Sequence, residues 1–328
     1  MAKQHIVIIS PASAKANNGN WQTANRWARF LRTRYKVTFA PAADNPSADL
    51  VSPDAIIALH ARRSAPSLAA FAAHYPALPS ILVLTGTDLY RDIRTDRDAQ
   101  RSLQLATRMV VLQDAGLHEL SDDLRAKTRV VYQSAQALAP STRKLHARHF
   151  EVVMVGHLRD EKDPLTFMRA AALVTAPSVR MTHIGGALDP TLAAQAEATQ
   201  RAQPRYRWLG NLPHGATRQR LKHSHVMVVA SRMEGGANVI IEAITSGVPV
   251  LASDISGNRG MLGDDYAGYF ALGDQNALAH LIDRAASDKT FYDQLARQCA
   301  ARAVLFSPAR EQAAVLQLVD NLLKNSHE

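Results

Sequence analysis

Cysteine is almost absent: Cys299 is the only one in 328 residues. A lone thiol excludes an internal disulfide framework and any cysteine-rich zinc site, and it suits a reducing cytoplasm. Aromatic residues are scarce too, at 6%. A nucleic-acid surface calls for a basic stripe interleaved with aromatics, and here the basic residues are scattered, so no nucleic-acid partner is expected. No run of eighteen apolar residues occurs, which argues against a membrane span or stable membrane insertion. The apolar run in the N-terminal "MAKQHIVIISPAS" is too short for a signal peptide and reads as a first strand. Solenoid periods and low-complexity tracts are missing as well.

What remains is an ordinary globular composition, 47% hydrophobic and 20% charged, with a formal net charge of +9. The length allows two domains with proper cores. The charge speaks of partners, and small anionic ligands fit it best. Short β-rich runs alternate with helical patterns: 5–10, 36–40, 55–60, 80–86, 108–113 and 129–134 read as strands, with a helix at 20–34. The polar stretch 135–150, which carries a proline, reads as a linker. The alternation restarts with strands at 150–158, 179–186, 206–210, 225–231 and 247–253, and a helix at 311–325 closes the pattern. This order predicts an α/β protein of two domains, each a parallel sheet with helices on both faces, and a cleft between the carboxyl ends of the sheets.

Within "SRMEGGANVIIEAITSGVPVLAS" (231–253), Glu234 and Glu242 are separated by seven residues. Glu234, Gly235 and Gly236 fall in a turn between a buried strand and a helix that Gly247 ends. Glycines there let backbone N–H groups approach a phosphate, aided by the helix dipole. Glu242, about two turns into the helix, is placed to accept from the vicinal hydroxyls of a ribose. The alternative is a capped helix with Glu234 solvated and Glu242 paired to a basic neighbour. In "VGHLRDEKDP" (155–164), Arg159 and Lys162 either clamp a diphosphate or belong to a solvated loop with its own carboxylates as partners.

These segments resemble the family-4 glycosyltransferases of GT-B architecture, in which two Rossmann-like domains face a central cleft. The resemblance implies that Glu242 binds the ribose and Glu234 the donor sugar, with Gly235, Gly236 and Asn238 on the same donor. It makes Lys162 the diphosphate ligand and a catalytic group. The family usually has arginine after the glycine; here His157 stands there, and either it or Arg159 takes that role. "WLGNLPHGA" (208–216) falls where such enzymes hold the base through backbone atoms. The expected division is an acceptor domain over 1–145, a UDP-sugar domain over 146–305, and a C-terminal helical segment over 306–328 that returns to the first domain.

Three loops of the first half end strands and face the expected cleft. The 10–20 loop offers Gly19, Asn20 and Thr23 (with Asn18), "LHARRS" offers His60, Arg62 and Arg63, and "LTGTDLY" offers Thr87 and Asp88. Each is also readable as a set of helix caps. Taken together, "GNWQTANRW", "LHARRS", "LTGTDLYRDI", "VGHLRDEKDP", "SRMEGGAN" and "SGNRGMLGDDYAGY" resemble the selenosugar synthases of selenoneine biosynthesis. That resemblance implies a UDP-sugar donor (N-acetylglucosamine or glucose), selenophosphate as acceptor, and release of UDP and phosphate, with His60 or Asp88 assisting phosphate removal. No cofactor or metal is expected: "DRD" at 96–98 has the form used for Mn²⁺ elsewhere but lies in a charged helical stretch. The competing expectations are a UDP- or GDP-sugar transferase acting on a hydroxyl, and a sugar-nucleotide-binding protein without turnover.

Overall fold

The computed structural model describes residues 3–11, 19–42, 52–139, 141 and 148–324. Two six-stranded sheets form, and every strand is parallel to its neighbours. The first holds β1 (His5–Ser10), β2 (Lys36–Pro41), β3 (Ala55–Leu59), β4 (Ser80–Val83), β5 (Arg108–Val111) and β6 (Thr128–Val130). The second holds β7 (Phe150–Val155), β8 (Val179–Ile184), β9 (Tyr206–Trp208), β10 (Val226–Val229), β11 (Val250–Ser253) and β12 (Tyr269–Phe270). Their orders are β2-β1-β3-β4-β5-β6 and β12-β11-β10-β7-β8-β9. The second is the dinucleotide-fold order, and both reverse direction at one point, between β1 and β3 and between β7 and β10.

Period-two alternation divides the first sheet between two cores. Ile6, Ile8, Ile57 and Leu59 face the Gly19–Leu31 helix, whose Trp27, Ala28 and Leu31 fill that side. Val7, Ile9, Ile56 and Ala58 face the opposite way, onto Leu68 and Phe71 of the Ala65–His74 helix and Leu103 of the Arg97–Leu105 helix. The first core is completed by the Pro308–Lys324 helix, which contributes Val315, Leu316, Leu318, Val319, Leu322 and Leu323 at helical spacing. Its Glu311, 1% exposed, accepts from Trp27 Nε1 at 2.8 Å, Arg26 Nε at 2.6 Å, and Ser134 through both N–H (2.8 Å) and Oγ (2.5 Å).

Met1–Ser134, Glu234–Gly236 and Ser307–Glu328 make one compact unit; Ala135–Met233 and Ala237–Phe306 make the other. The division therefore falls after Ser134 and Phe306 rather than at 145/146 and 305/306, and the first unit also takes in a three-residue turn from inside the second half. In the expected linker, residues 135–139 have no regular structure, while 140 and 142–147 lie outside the described residues. Several strands are shorter than the sequence predicts: β4 ends at Val83 and β5 at Val111. Leu84 and Leu112 stay buried beyond those ends, and the Leu84 N–H still donates to the Val110 carbonyl at 2.9 Å, so the apolar runs record burial beyond the assigned strands. β12 and the Ser256–Leu262, Gln275–Ser287 and Lys289–Arg302 helices were not anticipated. The last two begin at Asp274 and Asp288, whose carboxylates accept from first-turn N–H groups.

Candidate active site

Parallel α/β sheets bind ligands beyond the strand carboxyl ends at the point of reversal. In the second sheet that point lies between β7 and β10, and the loops after these two strands are 156–163 and 230–237. Arg232 ties them together. Its N–H donates to the Glu161 carbonyl at 2.9 Å, and its guanidinium lies 3.4 Å from both Asp160 and Asp163. Asp163 is buried, left-handed (φ +43), and accepts from Thr166 Oγ1 at 2.7 Å as the Pro164–Leu173 helix begins.

The loop after β7 rests on the loop after β8. A Cβ on Gly185 would stand 1.9 Å from the Gly156 carbonyl oxygen, so only glycine permits this approach. Beneath it, buried His183 meets the Gly156 carbonyl at 3.1 Å and the Tyr206 hydroxyl at 3.2 Å; desolvation pushes its pKa down to about 4. The Gly186 N–H donates to His157 Nδ1 at 3.0 Å. Burial, then the charges of Arg159 and Lys162, hold the His157 pKa below its ordinary value. Arg159 and Lys162 are the arginine and the lysine of this loop. Lys162 passes its stem alongside Gly156, where a Cβ would meet Cγ at 3.5 Å and Cδ at 3.6 Å.

Glu242 is the fifth residue of the seven-residue Asn238–Ile244 helix, little more than one turn in, not two. Asn238 is the first residue of this helix and is half-buried; no side chain caps it. Glu242 Oε1 accepts from His214 Nε2 at 2.7 Å. The basic neighbour that sequence reasoning left open is thus a histidine from "LPHGA", a segment expected to act through backbone alone. One turn on, Arg218 Nη2 donates to Ser246 Oγ at 3.2 Å, so two rungs at matching i, i+4 spacing join the helices.

Glu234 is buried, with 7% exposure, and so is not the solvated residue of the alternative reading. Its glycines answer to packing. A Cβ on Gly235 would lie 2.3 Å from the Thr85 carbonyl oxygen, and one on Gly236 would lie 2.6 Å from Leu112 Cβ. The missing side chains therefore let this turn pack against Thr85 and Leu112. In "SGNRG", Asn258 Nδ2 donates to the Ser253 carbonyl at 2.9 Å and Ser253 Oγ to the Ser231 carbonyl at 2.6 Å, which fixes the ends of β10 and β11.

In the first unit the loops after β3 and β4 lie together beside the reversal between β1 and β3. His60 is buried at φ +74, a conformation costly for a non-glycine residue and common at functional sites. Its Nδ1 accepts from the Arg63 N–H at 3.3 Å, and its Nε2 lies 3.1 Å from Thr87 Oγ1 and 3.9 Å from Asp92. Desolvation leads in lowering its pKa. Arg62 and Arg63 are exposed, with Arg62 3.0 Å from Asp96.

Two expected acceptor ligands are otherwise employed. Asp88 is fully buried, and its carboxylate accepts from the N–H groups of Ala61, Thr85 and Gly86, all at 2.9 Å. It holds the two loops together from a fully buried position. Thr23 is buried and donates to the Gly19 carbonyl at 2.9 Å while accepting from Gln133 Nε2. Gly19 is exposed and Asn20 half-buried at the start of their helix; Asn18 lies outside the described residues. Asp96 caps a helix through the Ala99 N–H. No group of three or more metal-ligating side chains occurs among the described residues.

Comparison with known proteins places this geometry. The family described as Glycosyl transferases group 1 matches residues 142–303. Glycosyltransferase 1 domain-containing protein 1 of Xenopus tropicalis is 32% identical over 116 residues, 35% of this chain and 33% of that protein. The UDP-Gal:alpha-D-GlcNAc-diphosphoundecaprenol alpha-1,3-galactosyltransferase of Escherichia coli is 28% identical over 154 residues, 44% and 38% of the two chains. The matches thus span little more than a third of these relatives. Anabaena HepE, solved with UDP and glucose, superposes with TM-score 0.77 at 16% identity, covering 97% of this chain and all of that one. The sucrose-phosphate synthase of Thermosynechococcus elongatus gives 0.79 at 16%, covering 98% and 100%. The chain has the GT-B fold, and its residues 142–303 are similar to the group 1 glycosyltransferases.

Proposed function

We propose that the protein is a glycosyltransferase that takes a sugar from UDP and joins it to selenophosphate. The observation that carries the donor half is the pairing of two loops at the β7/β10 reversal, with Arg159 and Lys162 on one and the strand–turn–helix bearing Glu242 after the other. Lys162 and Arg159 bind the diphosphate and stabilise charge that grows on the β-phosphate as UDP leaves. Such cations accelerate the reaction to the extent that they bind the transition state better than the intact donor. Glu242 accepts from the ribose and Glu234 holds the sugar. Relatives named for UDP-linked sugars or solved with UDP support this reading.

The acceptor half rests on the resemblance of "GNWQTANRW", "LHARRS", "LTGTDLYRDI" and "SGNRGMLGDDYAGY" to selenosugar synthases. Selenium of selenophosphate attacks the anomeric carbon, a C–Se bond forms, and the C–O bond to UDP breaks with its electron pair leaving on the β-phosphate. Water then cleaves the P–Se bond, giving inorganic phosphate and the 1-seleno sugar. Selenium needs no strong base; the anion needs cations, which exposed Arg62 and Arg63 supply beside Gly19, Asn20 and Thr87. His60 is positioned to assist the hydrolysis. A hydroxyl acceptor is the second reading, favoured by one observation: the Escherichia coli relative is named as an alpha-1,3-galactosyltransferase.

The deciding assay measures UDP release from UDP-N-acetylglucosamine and UDP-glucose, with and without selenophosphate, followed by mass spectrometry. A sugar product with the selenium isotope pattern is the expected result. UDP release only with a hydroxyl acceptor would overturn the selenophosphate assignment and leave the donor assignment standing. UDP-sugar binding without turnover on any acceptor would overturn the enzymatic reading.

A further inference from the structure

The Glu242–His214 contact has no counterpart in the donor chemistry assigned so far. His214 is the first residue of the His214–Lys222 helix, and its side chain is 46% exposed. Glu242 is 14% exposed at its side chain. Among the described residues His214 is its one side-chain partner, through Oε1; Oε2 accepts no protein hydrogen bond. A carboxylate that must take two vicinal hydroxyls needs a fixed rotation and two open acceptor sites, because each oxygen carries two lone pairs. The imidazole supplies the first condition and leaves the second intact. The rung below it, Arg218 to Ser246, fixes the spacing of the two helices independently of the imidazole.

We infer that His214 is a positioning residue for nucleotide binding, which orients the Glu242 carboxylate toward the 2′- and 3′-hydroxyls of the donor's ribose. The inference rests on the reading of Glu242 as the ribose ligand. The charged groups bearing on the imidazole are Glu242 across the helix pair and Arg218 along its own helix. The hydrogen bond to Glu242 leads in raising the His214 pKa, while burial and Arg218 oppose it. The charged pair is therefore complete below the raised value and weakens as pH climbs through it. UDP affinity is accordingly highest on the acid side of that transition.

The test is calorimetric titration of the full chain with UDP and with 2′,3′-dideoxyuridine diphosphate, using the unaltered protein, His214→Ala and His214→Gln. His214→Ala is expected to weaken UDP about five- to tenfold, the loss of one charge-assisted hydrogen bond to the ligand's acceptor, and to leave the dideoxy nucleotide unchanged. His214→Gln, which still donates to Glu242, is expected to retain most of the UDP affinity and lose its pH dependence. Equal weakening of both nucleotides would overturn the inference in favour of a merely structural contact, as would UDP binding untouched in both variants. If His214→Ala does not fold, a pH profile in His214→Gln matching the unaltered protein's would overturn it alone. Failure of the unaltered chain to bind UDP at any pH would reject the nucleotide reading itself, a result distinct from a variant that binds normally.

Discussion

Glu311 Oε1 accepts the indole hydrogen of Trp27 at 2.8 Å, while its Oε2 lies 2.6 Å from Arg26 Nε and accepts from both N–H and Oγ of Ser134. One buried carboxylate thus joins the Gly19–Leu31 helix, the Pro308–Lys324 helix and the last residue of the first chain segment. Removing it strands a buried guanidinium and three other donors. Glu311→Ala is expected to cost about 3–5 kcal/mol, and Glu311→Gln, which keeps one acceptor, less. Urea melts followed by tryptophan fluorescence check this, because Trp27 reports from within the contact.

Gly185→Ala puts a methyl group where the Gly156 carbonyl oxygen stands. The loop carrying Arg159 and Lys162 must then lift from the one after β8. UDP affinity is expected to fall at least about tenfold, with a smaller change in melting temperature than Glu311→Ala produces. Parallel calorimetric and thermal titrations separate the two effects.

Lys162→Ala removes the cation proposed to stabilise the leaving group without emptying a core position. Its kcat for UDP release is expected to drop about 10²–10³-fold, the usual scale for one preorganised electrostatic group. The melting curve should be unaltered. Steady-state kinetics beside calorimetry make the comparison.

His183 provides a pH prediction with a fixed sign. Its folded pKa, about 4, lies below the ordinary histidine value of 6.5 because it is buried. The unfolded chain therefore binds the proton first as pH falls, and stability is lost between about pH 6.5 and 4. The shift corresponds to roughly 3 kcal/mol across that window. His60 and His157 are displaced in the same direction and steepen the slope. Denaturation midpoints at pH 7 and pH 5, with His183→Gln for comparison, should show the variant less sensitive.

The parallel sheets were legible because buried parallel strands are near-continuous apolar runs, and "HIVIIS" and "HVMVVAS" admit little else. The Glu234–Glu242 spacing and the Lys162 loop were legible for a similar reason, since each sits at a strand end with turn residues that have a local purpose. What stayed hidden depends on partners distant in sequence. Nothing local to Asp88 tells that Ala61 will claim its carboxylate, and Thr23 gives no sign of Gln133. The need for glycine at 235 and 236 was visible, but its cause, the backbone of Thr85 and the side chain of Leu112, was not. His214 and Gly185 had weak signals in "LPHGA" and "HIGG", a histidine at a helix start and a glycine pair at a strand end.

The Pro308–Lys324 helix carries a consequence for the order of synthesis. Ile6, Ile8, Trp27 and Leu31 are made well before the residues that cover them, Val315 to Leu323, and the whole second sheet is made in between. On the ribosome, the first sheet must carry an open apolar face through the translation of about 170 residues, nearly ten seconds or more at ordinary elongation rates. A nascent chain stalled before Pro308 should accordingly be a chaperone client even when its second domain has already closed.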